Sequence, residues 1–498
     1  MTKILRPVSN LERYFIMRQN VNFYNNILFS VRYKWDELYN LNPIIDPITN
    51  NIINKAKEFI LQILYPSLKK LILKQPSLSI SLKDSKSSQP LFILLSQIDL
   101  FNLVKFIVIS NDEKDLVNVF EREHDIALDQ EDETKPLWRI TVGIYNATNL
   151  DMRPNYDLCV IFCWNHCIGD GRSAYAIHNA FIESVNSTLQ EKNNSFIEPI
   201  NSSSKYIISI PDTQICEPLE RRINVKPTIL HLLKEVFIEF LLPSTLKKSL
   251  LPNYWAGDIH SKDLSDYHTK VQLYSIEKDE FENLMLITKQ NQTTIQAVLH
   301  TAILFSSSHY LSNNNKSIRV TSPLTLRPYA VPPISSNDMG NYVAEFLFDY
   351  EFPINKSNFD DIYFWELCHQ YKSQLKNNIP SSIQHVGMLD YLSKDNKSWE
   401  DFFKQKMFGL PMGRGYSIEL SNLGKYNEEN NNVCNWEIVD MFFSQSAQVV
   451  GAAINVNSIS YNNKLNISIT YQKGAISNEK VKEFSNGIIE YLKLISNK

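Results

Sequence analysis

The sequence predicts an α/β chain in two successive halves, residues 1–225 and 226–498, and three observations carry that expectation. Strand-like apolar runs and amphipathic helical stripes follow one another along the whole chain. One run, Asp157 to Trp164, is apolar on both faces, as a central strand covered on each side should be. A polar, proline-containing segment at 188–226 separates two such series, and 498 residues suffice for two or three structural units.

The elements follow in order. Ser9 and Glu12 stand at capping-box spacing and start a helix over 9–20, with Leu11, Tyr14 and Phe15 on one face. Residues 27–33 read as a strand. Residues 51–74 read as a long helix whose stripe is Ile52, Ile53, Phe59, Ile60, Ile63 and Leu64. Short strand-like runs follow Pro76, including Leu91 to Leu95, and then a helix at 111–123. The polar stretch 127–135 is a loop, and 137–145 alternates as a strand. A loop at 165–171 joins the apolar run of 157–164 to a helix at 173–187. In the second half, 228–250 reads as helical, and a Thr-capped helix spans 293–308. A strand at 317–322 follows an Asn-rich loop. Gly340-Asn341 precedes a strand at 342–349, and two helices follow at 360–377 and 381–393. The rest is mostly strand, at 416–421, 436–443, 448–457 and 465–471. A final helix at about 478–495 lines up Val481, Phe484, Ile488, Leu492 and Ile495. No repeat of 20–50 residues is visible, which argues against a solenoid.

Composition excludes several functions. The net charge is −4 and no run of five Lys or Arg occurs, so nucleic acid is not an expected partner. Glycine is scarce, at 13 residues, and neither GxxxxGK[ST] nor GxGxxG is present, so phosphate-loop and dinucleotide chemistry lack support. Six cysteines, Cys159, Cys163, Cys167, Cys216, Cys368 and Cys434, are too few for a disulfide scaffold in this length. The opening residues lack an apolar leader core, so a cytoplasmic location with reduced thiols is expected. No apolar stretch is long enough to span a membrane. The nearest, 228–243, is interrupted by His231, Lys234, Glu235 and Glu239 and ends at Pro243.

The chemistry concentrates in Trp164-Asn165-His166-Cys167-Ile168-Gly169-Asp170-Gly171-Arg172-Ser173. A dry strand running into His166 offers a neutral imidazole, a competent base near neutral pH. Gly169 and Gly171 are expected to permit a tight reversal that folds Asp170 back onto the loop. Zinc is a poor fit, because four residues of strand span about 13 Å, too far for Cys159 and Cys163 to share one ion. Cys167 adjoins His166, but no oxyanion-hole motif marks it as a nucleophile.

HxxxDG after a buried strand resembles the motif of chloramphenicol acetyltransferases, peptide-synthetase condensation domains and plant BAHD acyltransferases. The wider chain is similar to the fungal alcohol O-acetyltransferase family. The similar segments are Leu11-Glu12-Arg13-Tyr14-Phe15, Pro136-Leu137-Trp138-Arg139, Leu326-Arg327-Pro328-Tyr329, Gly340-Asn341-Tyr342-Val343, Ser421-Asn422-Leu423-Gly424 and Phe443-Ser444-Gln445-Ser446. They run from about residue 9 to 475. Many relatives carry His-His where this chain has Asn165-His166.

The resemblance implies two chloramphenicol-acetyltransferase-like halves, each a mixed β-sheet flanked by helices, with an active-site tunnel between them. It implies acetyl-CoA as acyl donor, a hydrophobic alcohol such as a sterol as acceptor, and no metal. His166 would be the general base and Asp170 a structural residue paired with Arg327, or less favourably with Arg139. Gly169 and Gly171 would support the loop, and Ser421 or Asn422 would donate to the oxyanion. Two rival readings are a non-catalytic binding module of the same fold and an N-acetyltransferase of a lipid-like amine. Asn165 supports the first, whereas intact His166, Asp170 and Gly171 oppose it. The helices at 9–20, 228–250 and 478–495 offer apolar stripes either to the core or to the surface of endoplasmic reticulum or lipid droplets.

Overall fold

The computed structural model describes residues 3–35, 51–110, 112–145, 157–193, 206–236, 253–264, 266–312, 317–352, 359–392, 396–427 and 436–498. Two mixed sheets organise it. The first has five strands in the order Trp436–Gln445, Ile27–Trp35, Asp157–Trp164, Trp138–Tyr145, Val104–Ile109. Asp157–Trp164 is central and antiparallel to both neighbours. Its two faces alternate. Val160, Phe162 and Trp164 enter a core filled by helices Asn51–Lys74 and Ser173–Asn193. Cys159, Ile161 and Cys163 enter a smaller cluster with Phe120 of helix Glu113–Asp125 and Val271 of the second half. Burial on both faces is what the unbroken apolar run specifies.

The second sheet has seven strands. Its path is Tyr254–Trp255, Ser317–Thr325, Tyr416–Lys425, Ala452–Tyr461, Lys464–Gln472, Thr269–Ile276, with Val343–Glu351 also pairing with Ser317–Thr325. Helices Ile295–Tyr310 and Asn478–Ser496 cover it. Val481, Phe484, Ile488, Leu492 and Ile495 of the last helix are all buried there, so that stripe serves the core.

The halves share a strand. Trp436–Gln445 comes from the second half but pairs antiparallel with Ile27–Trp35 of the first sheet. Its outer carbonyls are not left bare. Asn466 Nδ2, Ser468 Oγ and Thr470 Oγ1, on one face of Lys464–Gln472, donate to the carbonyls of Met441, Phe443 and Gln445 at 2.7, 2.6 and 2.8 Å. A row of side chains therefore stitches the second sheet onto the edge of the first.

Several expectations change. The predicted helices 360–377 and 381–393 are one helix, Asp361–Gly387, running through Pro380 into a 3₁₀ turn at Met388–Tyr391. Proline removes one N–H donor, and a long helix held by packing survives that loss, as Asn51–Lys74 does at Pro66. The helix predicted to end at 187 continues to Asn193. The polar segment 188–226 contains a strand, Ile207–Ser209, paired with Gln97–Asp99, and a short helix, Leu219–Arg222. The strand predicted from 448 starts at Ala452, because the Gln448 side chain is folded into a polar network instead. Of 228–250, Ile229–Val236 is helical, and 237–250 lies outside the described residues. Helices Lys278–Gln290 and Asn396–Gly409 and strands Lys3–Pro7 and Val104–Ile109 are not among the predicted elements. Among the described residues no helix is long and apolar enough to cross a membrane.

Candidate active site

His166 leaves the central strand at the seam between the halves. The residue before it anchors the loop. Asn165 is buried, its Nδ2 donates to Gln19 Oε1 at 2.7 Å, and its Oδ1 accepts from Cys167 N at 2.8 Å. Asparagine at this position thus ties the loop to helix Asn10–Asn20, which opens with the full Ser9–Glu12 capping box.

The His166 ring stacks on Phe15, with centroids 3.7 Å apart and planes 4° from parallel. Asn341 Nδ2 donates to the His166 carbonyl at 3.0 Å and lies 3.3 Å from His166 Nδ1. The imidazole is only half-buried by surface, yet protein surrounds it closely enough that desolvation holds its pKa down to about 4. The ring is therefore neutral through the physiological range. Neither Phe15 nor Asn341 carries a predicted role, although both lie in the similar segments quoted above. The signal available for Asn341 was an amide at the entry to a strand, set against the histidine loop.

Asp170 turns away from the ring. It is buried, and Arg327 Nη2 donates to its Oδ1 at 2.9 Å. Ser173 N and Oγ also donate to Oδ1, at 3.0 and 3.1 Å, and Tyr342 N donates to Oδ2 at 3.0 Å. Desolvation pushes the carboxyl up, but Arg327 and these donors outweigh it and keep its pKa low. Arg139, the second-choice partner, is committed elsewhere: its Nε donates to Glu123 at 2.9 Å. Arg327 also donates to the carbonyls of Ser335, Asp338 and Gly340, and so holds the segment that presents Asn341.

Gly169 and Gly171 act by their size. Neither has the left-handed φ found at Gly257, Gly413, Gly424 and Gly474, so the expected conformational reason does not hold. A Cβ on Gly171 would lie 2.8 Å from Leu423 Cδ2 and 3.0 Å from Phe443 Cζ, both buried. Gly171→Ala is accordingly expected to lower stability by about 1–3 kcal/mol through overpacking, read as a lower urea midpoint at unchanged slope.

The two oxyanion candidates sit on opposite faces of Tyr416–Lys425. Ser421 shares its face with Glu419 and with Leu423, which packs against Gly171. Asn422 Oδ1 accepts from Gly424 N at 2.9 Å, which is turn chemistry. The Glu419 carboxylate is buried and fixed by Gln445 Nε2 and Gln448 Nε2, at 2.6 and 2.8 Å. A small pocket lies against the loop, lined by Arg6, Glu12, Cys167, Ile168, Cys216 and Asn341 among others, but not by His166. Cys159, Cys163, Cys167, Cys216 and Cys368 are free thiols, and Cys159 Sγ meets Ser30 Oγ at 3.1 Å.

The model of the alcohol acetyltransferase family matches residues 8–493. A probable alcohol acetyltransferase of Fusarium pseudograminearum is 23% identical over 431 residues, which is 82% of this chain and 81% of that protein. An uncharacterised protein of Schizosaccharomyces pombe is 24% identical over 410 residues, 80% of this chain and 81% of that one. Among solved structures, trichothecene 15-O-acetyltransferase from Fusarium sporotrichioides aligns over 98% of this chain and 95% of its own, with a TM-score of 0.66 at 12% identity, a likeness of fold.

Proposed function

Because the chain belongs to the alcohol acetyltransferase family and is an acyltransferase, we propose that it moves acetyl from acetyl-CoA to the hydroxyl of a hydrophobic alcohol, sterols included, with His166 as general base. The observation that carries this reading is the neutral, half-buried imidazole of His166, held between Phe15 of the first half and Asn341 of the second.

Nδ1 lies on the side of the residue's own carbonyl, which Asn341 also contacts. In the tautomer with its proton on Nδ1, directed at that carbonyl, Asn341 Nδ2 donates to the carbonyl alone and Nε2 is left to accept the acceptor's proton. The acceptor oxygen then attacks the thioester carbon, and the imidazolium returns the proton to the departing CoA sulfur. A tunnel between the halves, divided near 225, would bring donor and acceptor to His166 and supply proximity without an acyl-enzyme. Asp170, Arg327, Gly169 and Gly171 hold the loop's shape. Ser421 is the neutral oxyanion donor the strand face supports, and Asn422 ranks behind it because its amide oxygen serves the turn.

The test is product mass spectrometry after incubating the full chain with acetyl-CoA and a panel of alcohols, sterols and long-chain amines. An O-acetyl ester formed with release of one thiol per turnover supports the reading. An amide alone would move the acceptor class to amines, and no product from any acceptor would remove the transferase reading.

We place the protein in the cytoplasm, docked peripherally on endoplasmic reticulum or lipid droplets. Helix Ile229–Val236 supports this, because Ile229, Leu230 and Leu233 are 78%, 79% and 60% exposed. Apolar side chains clustered this openly on one helix suit the headgroup region of a lipid surface. Leu230→Glu combined with Leu233→Glu is expected to abolish flotation with liposomes while leaving turnover of a soluble acceptor unchanged. Undiminished flotation of the variant would exclude this helix as the anchor.

A further inference from the structure

Arg18 is a buried guanidinium with no carboxylate paired to it among the described residues. It stands on helix Asn10–Asn20 and is 5% exposed. Among the described residues it forms no ion pair. Its single side-chain hydrogen bond runs from Nη2 to Gln448 Oε1 at 2.9 Å, and its buried Nε has no partner. Buried Arg327 has Asp170, the half-buried Arg6 and Arg139 have Glu12 and Glu123, and buried Arg13, on the same helix as Arg18, lies over the Trp399 ring. Arg414 also forms no ion pair among the described residues, but it donates to the carbonyls of Ala256, Ile259 and Met412.

Its surroundings place it beside the base. The Arg18 Cζ lies 4.4 Å from the Tyr24 ring and 5.8 Å from the Phe15 ring. Phe15 stacks on His166, and the Tyr24 ring is 6.1 Å from it. The Tyr24 hydroxyl is buried without a partner, and burial keeps its proton on. Two buried donors without partners, Arg18 Nε and the Tyr24 hydroxyl, thus belong to the cluster of rings around His166. Glu419, which accepts from Gln448 Nε2 at 2.8 Å, and Glu345 compensate the charge of Arg18 without pairing with it, and a buried guanidinium with an unpartnered N–H is favoured further when negative charge arrives beside it.

We propose that Arg18, assisted by the Tyr24 hydroxyl, is a further catalytic residue that meets the negative charge formed on the thioester oxygen during acyl transfer. The proposal rests on the acyl-transfer reading of His166. As the acceptor oxygen bonds to the thioester carbon, its proton passes to the imidazole and the carbonyl π pair moves onto oxygen, against the guanidinium. Collapse returns that pair to C=O and breaks the C–S bond, and sulfur takes the proton from the imidazolium. Arg18 adds a charged donor to the neutral one that Ser421 would provide.

Arg18→Gln, Arg18→Lys and Tyr24→Phe, made in the full chain and checked for folding by circular dichroism, test it with acetyl-CoA and the best acceptor of the panel. Arg18→Gln is expected to lower kcat by about 10²–10³-fold, the loss seen when one oxyanion donor is removed, with both KM values within about threefold. Arg18→Lys should restore part of the rate. Tyr24→Phe should cost about tenfold, as a lost hydrogen bond does. The acid limb of kcat/KM should also move to higher pH in Arg18→Gln, because a neighbouring positive charge that disfavours the imidazolium is gone. A folded Arg18→Gln that keeps wild-type kcat, or whose loss lies wholly in KM, overturns the proposal. If neither Arg18 variant folds, Tyr24→Phe with unchanged kcat overturns it. An inactive His166→Ala beside an active Arg18→Gln sinks this proposal alone, whereas an active His166→Ala sinks the reading beneath it.

Discussion

His166→Ala is expected to reduce acetyl transfer by about 10²–10⁴-fold, the usual cost of losing a general base, in a protein that still folds. The ring is half-buried, and its neighbours include one face of Phe15, the Tyr24 ring and the amide of Asn341, so truncation opens a space bounded largely by rigid rings. Thiol release from acetyl-CoA in the presence of acceptor measures the loss, and thermal unfolding checks the fold. The pH profile makes the prediction sharper. Desolvation holds the imidazole's pKa down to about 4, so the base form persists as pH falls. In the wild-type enzyme kcat/KM should therefore stay level from about pH 8 to pH 6, where a histidine of ordinary pKa, about 6.5, would already be mostly protonated. An acid limb centred near 6.5 would contradict a desolvated base, and near-wild-type turnover by the alanine variant would remove His166 from the chemistry.

What was legible in the sequence was local. The run Asp157–Trp164 states its own burial, and the helix caps at Ser9 and Thr294 stand where the spacing puts them. The Asp170–Arg327 pair followed from resemblance alone. Nothing in residue spacing distinguished Arg327 from Arg139, whose real partner, Glu123, lies on a neighbouring helix. Pairing across the chain was invisible. Trp436–Gln445 reads as a strand from its residues, but its place beside Ile27–Trp35 depends on contacts made some four hundred residues apart. The same holds for the environment of His166. Phe15 and Arg18, on one helix, and Asn341 come to it from two distant places in the chain, so an imidazole pKa near 4 could not be read from the motif. Asn165 shows the reverse case. As a departure from a sequence pattern it invited doubt, while its two hydrogen bonds make it a fastener of the loop.

Removing Arg327 should produce the largest loss of stability among the site substitutions. Arg327→Met leaves Asp170 charged, buried and without its cation, and breaking a buried pair from one side typically costs about 3–5 kcal/mol. The guanidinium also donates to three carbonyls, of Ser335, Asp338 and Gly340, which lose their partner at the same time. Lysine is a poor substitute, because one ammonium with three donors cannot reach Asp170 together with acceptors spread over 335–340. Asp170→Asn should cost less. Its one amide oxygen still accepts from Ser173, although the amide nitrogen then faces the Tyr342 N–H, and Arg327 keeps its carbonyl partners. The double variant Asp170→Asn/Arg327→Met should lose less than the two single effects combined, since neither charge is then stranded. Urea unfolding of the four proteins measures the coupling, and stability of Arg327→Met within about 1 kcal/mol of wild type would mean the pair does not hold the loop. Catalysis should follow stability for a geometric reason. Arg327 fixes Gly340, Gly340 precedes Asn341, and Asn341 contacts both the carbonyl and Nδ1 of His166. With His166 as the proposed base, this chain of contacts from the Asp170–Arg327 pair would govern where the imidazole points, so the fraction of Arg327→Met that remains folded should still show a lowered kcat.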